Sequence, residues 1–128
     1  MSTIFSRIIA GEIPCHRVWE DDDHLAFLDI RPVRPGHTLV IPKREVSYLF
    51  DLSAGEQTAL WDAVRQVEGK LRNALDCRRV VLSVVGWEVP HVHVHLVPTN
   101  EIGDFPFPGP CGLDPEAMPA IAEKIASA

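Results

Sequence analysis

No C-x-x-C pair occurs in these 128 residues. The cysteines, Cys15, Cys77 and Cys111, stand far apart. That spacing disfavours a Cys-rich zinc site and suits free thiols in a reducing compartment. No apolar run approaches the ~20 residues that a membrane span needs. The N-terminal stretch MSTIFSRIIAGEIP has no long apolar h-region and no small-residue cleavage site. A soluble, cytoplasmic chain without a membrane partner is the expectation. Basic residues are in the minority, 12 Lys and Arg against 18 Asp and Glu, for a net charge of −6. A protein that grips a nucleic-acid backbone needs clustered cations, so no nucleic-acid partner is expected. A mononucleotide needs only a few local donors and is compatible with this balance. Internal repeats and low-complexity segments are missing too.

What is present fits one domain over residues 1–128, with 46% hydrophobic residues and enough length to bury a core without staples. Ile4 to Ala10 reads as a short helix, stopped by Gly11 and Pro14. His16–Glu20 and His24–Ile30 read as a hairpin around Asp21–Asp23. Pro32, Pro35 and Gly36 break the run, and His37–Ile41 is a third strand. Ser53-Ala54-Gly55-Glu56 has the form of a capping box. Leu60, Val64, Val67, Leu71 and Leu75 follow at spacings of three and four, which predicts a long amphipathic helix. Arg79–Val85 and Val89–Val97 read as two more strands. The tail from about Thr99 is rich in Pro and Gly around FPFPGP, and Asp114–Ala126 ends it as a short helix. Strands, one long helix, then strands predict an α+β fold: an antiparallel sheet packed by that helix and by the short N-terminal one.

The most informative stretch is His91-Val92-His93-Val94-His95-Leu96-Val97. On a strand, alternate side chains share a face. His91, His93 and His95 then form a row roughly 7 Å apart, with Val92, Val94 and Leu96 turned toward the long helix. Thr, Lys or Glu would serve a merely exposed face equally well. Two chemical readings remain at this point. Imidazoles ligate zinc, although three in a row are hard to close around one tetrahedral centre. A neutral imidazole can also attack phosphorus, with its neighbours orienting it and handling protons.

The run H-V-H-V-H-L-V resembles the His-φ-His-φ-His-φ-φ signature of the histidine triad (HIT) family. Three upstream blocks are similar to the family's in order and spacing: I-F-S-R-I-I-A-G-E-I-P at 4–14, E-D-D-D-H-L-A-F-L-D-I-R-P at 20–32, and P-G-H-T-L-V-I-P-K at 35–43. Together they span nearly everything from Ile4 to Pro98. The resemblance implies a homodimer of a HIT-like α+β domain that hydrolyses or transfers nucleotides at the α-phosphate, with no cofactor and no metal. It gives His93 the role of nucleophile, forming a nucleotidyl-histidine that water resolves. His91 and His95 would orient it and assist the leaving group, and His37 is a further active-site histidine. Asp29 matches the carboxylate that holds the ribose hydroxyls, since a carboxylate accepts two hydrogen bonds from a cis-diol. Phe5, Ile8, Ile13, Phe27 and Ile30 match positions lining the base pocket, an apolar slot that holds a purine by its faces. The loop before the triad departs from the family. Ser83 stands where Asn is common, and Trp87 and Glu88 replace residues that donate hydrogen bonds to phosphate. Ser83 and Glu88 are kept as nucleotide-contacting candidates.

Overall fold

The computed structural model describes residues 3–106 and 110–128. Residues 107–109, the middle of the Pro/Gly run expected in the tail, lie outside the described residues. The main elements are α1 (Ile4–Ile9), β1 (Arg17–Glu20), β2 (His24–Leu28), β3 (Thr38–Pro42), α2 (Ala54–Ala74), β4 (Arg79–Ser83), β5 (Val94–Thr99) and α3 (Met118–Ala126). Short 3-10 turns sit at Leu49–Asp51, Ile102–Asp104 and Pro115–Ala117. The five strands form one antiparallel sheet in the order β1-β2-β3-β5-β4. The α+β expectation is met.

The capping box at the start of α2 forms as its sequence requires. Ser53 Oγ accepts from the Glu56 N–H at 3.1 Å, and Glu56 Oε1 accepts from the Ser53 N–H at 3.0 Å. Leu60, Val64, Val67 and Leu71 are buried against one sheet face, where they meet Ala26, Val40, Val92, Val94 and Leu96. Each such side chain contributes about 1.5–3 kcal/mol by leaving water. Leu75 does not continue the stripe: it is the extended C-cap of α2 and more than a third exposed.

The other sheet face carries Leu25, Phe27, Leu39 and Ile41, which pack on Phe5 of α1. Both faces of β2 and β3 are therefore covered, so these strands are buried almost throughout. The second strand ends at Leu28 rather than Ile30. Asp29 still donates its N–H to the His37 carbonyl at 2.9 Å, but Ile30 turns out to solvent. The Val89–Val97 strand begins only at Val94, and Arg79–Val85 ends at Ser83. Pro90 has no N–H to give a ladder. The His91 N–H turns back to the Val89 carbonyl at 2.8 Å, and the Val92 N–H goes to the Val46 carbonyl at 2.8 Å. His91 and His93 thus lie on a bent lead-in to β5, not on a flat strand.

Candidate active site

The alternation expected of the histidine run survives the bend. Val92, Val94 and Leu96 face α2. His93 and His95 lie on the α1 side, their ring centroids 5.0 Å apart. This is closer than the strand rise predicts, because the chain is not fully extended here. Phe5 places its ring edge-on to His93 and His91, with centroids at 4.9 and 5.9 Å. His91 is fully buried.

The hydrogen bonds assign the tautomer of each imidazole. A carbonyl can only accept, so His93 Nδ1–H donates to the His91 carbonyl at 2.6 Å. The bend that frees this carbonyl from the ladder makes the bond possible. In neutral His93 the lone pair is then on Nε2. That nitrogen has no partner among the described residues. Every fully buried polar side-chain atom among them does have one, so Nε2 reaches solvent. His91 Nε2–H donates to the Pro42 carbonyl at 2.7 Å, and its Nδ1 faces Thr3 Oγ1 at 3.5 Å. His37 Nδ1 accepts the Val33 N–H at 3.0 Å, which leaves the proton on Nε2. That proton is donated to His95 Nδ1 at 2.9 Å. His95 consequently carries its own proton on Nε2.

Burial supports the neutral states of His95, His37 and His91. It pushes His95 down to about 4, with His93 and His37 adding to the shift and Asp29 opposing it. It pushes His37 down as well, against the opposing charge of Asp29, whose Oδ2 lies 3.6 Å from His37 Nε2. His91 is lowered by burial first, with the Pro42 carbonyl and Glu45 opposing.

A cavity of about 590 Å³ opens beside this cluster. His93, His95 and Asp29 line it together with Phe5, Ile8 and Phe27. Ile13, Ile30 and Glu88 also reach it, Ile30 from an exposed position at the rim. His37, His91 and Ser83 are not among its lining residues. His37 lies behind His95 and is bonded to its Nδ1, and the His91 carbonyl is bonded to His93 Nδ1. Ser83 pairs in register with His95 on the neighbouring strand. Cys15 and Trp87 line the cavity without having been singled out as contacts, and Trp87 is 92% exposed. A smaller cavity of about 330 Å³ lies at the far end of β4 and β5, between Arg79 and Thr99, and no histidine lines it.

The Val33 N–H and the carbonyls of Pro42 and His91 were not predictable from residue type, because backbone groups carry no sequence signature. Among the described residues, one group of donors could hold a metal ion: Asp29, His37 and His95, not the triad itself.

The family model described as the HIT domain matches residues 10–102. The chain belongs to the HIT family. An uncharacterized HIT-like protein of Methanocaldococcus jannaschii is 40% identical over 102 residues, covering 77% of this chain and 79% of its own. An adenosine 5′-monophosphoramidase of Schizosaccharomyces pombe is 34% identical, covering 99% of this chain and 98% of its own. The crystal structure of a HIT family member from Bacillus subtilis superposes with a TM-score of 0.84 at 32% identity, covering 99% of this chain and 96% of its own.

Proposed function

We propose that this HIT protein is a nucleotide hydrolase or nucleotidyl transferase in which His93 Nε2 attacks the α-phosphorus of a nucleoside monophosphate derivative. The observation that carries the reading is the tautomer of His93. Its Nδ1–H is tied to the His91 carbonyl and its Nε2 lone pair is open to the cavity. A P–Nε2 bond forms as the bond from phosphorus to the leaving group breaks, an amine leaving group taking up a proton from solvent as it departs. His95 Nε2–H, pointing into the same space, donates a hydrogen bond to the developing charge. Water then attacks the nucleotidyl-histidine and restores His93. Asp29 Oδ1 is already held by the Arg31 N–H at 2.8 Å, so the carboxylate is oriented to receive the ribose diol. Phe5, Ile8 and Phe27 offer the base an apolar wall.

Glu88 favours one leaving group over another. Its carboxylate at the cavity margin opposes an extended polyphosphate and suits an amine-linked phosphoramidate. The near full-length similarity to a phosphoramidase supports the same choice. Further support concerns the chain's surroundings. The three cysteines are free, in keeping with a reducing, cytoplasmic setting. A homodimer is part of this proposal, with β4 as the joining edge.

The test is His93→Ala with an adenosine phosphoramidate as substrate. Turnover should fall by at least 10³-fold, in line with loss of the nucleophile of a covalent mechanism, while adenosine monophosphate still binds. Acid-quenched wild-type protein should carry one nucleotidyl group, absent from the variant. Near-normal turnover by His93→Ala would sink the mechanism. Binding without turnover in the wild type would instead make this a nucleotide-binding module.

A further inference from the structure

We propose that Glu45 is a positioning residue for the nucleotide cavity. It ties α1 to the segment that holds the histidine run, and so sets where Phe5 and Ile8 stand relative to His93.

α1 has only six residues. A helix that short does not persist on its own, so its place is fixed by what it touches. One contact is apolar: Phe5 packs on Leu25, Phe27, Leu39 and Ile41. Apolar packing is not directional and leaves the first turn free to pivot about that ring. The other contact is polar and comes from Glu45. Its Oε1 accepts the Thr3 N–H at 3.1 Å and also the Ser6 hydroxyl. Thr3 is the N-cap of α1 and Ser6 its third residue, so both donors belong to the first turn. The Ser6 hydroxyl and, after it, the Thr3 N–H hold the Glu45 carboxyl below the usual range. It is therefore ionised at neutral pH, where bonds to it are stronger than those to a neutral acceptor.

Glu45 stands in a segment that grips the histidine run from either side of it. The Pro42 carbonyl accepts His91 Nε2–H at 2.7 Å, and the Val46 carbonyl accepts the Val92 N–H at 2.8 Å. The same five residues thus hold both α1 and the lead-in to β5. A direct contact joins the two as well. His91 Nδ1 carries the lone pair, because Nε2–H is given to Pro42, and it lies 3.5 Å from Thr3 Oγ1. The Thr3 hydroxyl has its proton free for that nitrogen, since its oxygen accepts the Ser6 N–H at 3.1 Å and the Ser6 hydroxyl donates to Glu45.

The consequence lies in the cavity wall. Phe5 is held edge-on to His93 and His91, and Ile8 stands one turn later on the same short helix. Both line the 590 Å³ cavity, whereas Glu45 is exposed and does not. Its influence on the site runs through α1 alone. Without it the wall shifts and the base binds less well, while His93 stays fixed by the His91 carbonyl. The effect on base binding rests on the nucleotide reading above; the placement of α1 does not.

The experiment compares Glu45→Ala, Glu45→Gln and Asp62→Ala in the full chain, with an adenosine phosphoramidate as substrate. Asp62 is an exposed acid on α2, remote from the cavity wall. Glu45→Ala should raise KM by about fivefold or more while kcat stays within about twofold, the pattern of lost ground-state binding. Glu45→Gln should match the wild type in both, because one oxygen takes both bonds and an amide Oε1 can do the same. Asp62→Ala should change neither. A wild-type KM in Glu45→Ala would overturn the proposal. So would a Glu45→Gln variant as impaired as Glu45→Ala, since charge rather than placement would then be responsible. Ring-to-ring NMR contacts between Phe5 and His93 give a readout that needs no substrate. They should weaken in Glu45→Ala and persist in Glu45→Gln. If the wild type neither binds nor turns over nucleotides, the nucleotide reading fails. The ring contacts still decide the placement of α1, and their persistence in Glu45→Ala would overturn it.

Discussion

At the scale of single residues, a histidine's position and its protonation are separate matters here. His91 is fully buried, with its ring between the Pro42 carbonyl and Thr3. Burial holds its pKa below the usual 6.5, and the neighbouring His93 adds to that, while the Pro42 carbonyl and Glu45 pull the other way. The unfolded chain takes up a proton on this ring near pH 6.5, and the folded chain does so only at lower pH. Between those points the unfolded state binds more protons, so stability is whole above about pH 6.5 and is lost as pH falls. Glu56 extends the loss downward. Its bonds to Arg44 and Ser53 hold it at about 2 against an ordinary 4.5, so its share disappears between those values. For the His91 proton the slope is at most about 1.4 kcal/mol per pH unit. Urea midpoints should be level above neutrality and decline steadily from pH 6.5 to 4. A level midpoint across that range would contradict the burial argument for His91. The residue types of the site were legible because the triad is dense and its spacing regular. What each nitrogen does was not, since it depends on backbone partners at Val33, Pro42 and His91.

At the scale of elements, the sequence pattern located α1, α2 and all five strands, because hydrophobic period and capping are local properties. It misjudged the ends. The apolar run through Val92 reads as strand, but the N–H groups of His91 and Val92 leave the ladder for Val89 and Val46, a tertiary choice no local pattern encodes. Leu75 fits the helical period yet caps α2, because the chain must turn there toward β4. The turn that delivers His37 was easier to read, since Pro35-Gly36 is a breaker pair. Gly36 has φ +90°, and a Cβ on it would stand 2.4 Å from Leu75 Cδ1 and 3.2 Å from Pro98 Cγ. A side chain here meets both backbone strain and the C-cap of α2. Gly36→Ala should therefore cost at least about 1–2 kcal/mol from the left-handed backbone alone. The variant should also displace His37 from His95, so calorimetric unfolding would show a lower Tm and activity would fall with it. An Ala variant as stable as the parent would mean that the turn relaxes freely and does not position His37.

At the scale of the molecule, the two edges of the sheet are not alike. β1 is short and irregular, with a bulge between Arg17 and Trp19, and Glu20 there is paired with Arg17 and Lys43. These are the devices that keep a strand edge from pairing with another chain. β4 has no such protection in its second half: Leu82 is 42% exposed, and Val84 and Val85 continue the apolar surface into the following loop. An unpaired edge with apolar side chains is a template for a second copy, and a two-fold axis through β4 would join two five-stranded sheets into one. The cavity's Val85, Gly86, Trp87 and Glu88 lie directly after that edge, so assembly there would bring a neighbouring chain close to the proposed leaving-group side. Sedimentation equilibrium at micromolar concentration should give about twice the 14.2 kDa chain mass. Replacing both Leu82 and Val84, 42% and 37% exposed, by Lys puts like charges on the two facing edges. The double variant should sediment as a single chain with unchanged far-ultraviolet circular dichroism. Retention of the dimer by that variant would move the interface away from β4, and a wild-type monomer would remove it altogether.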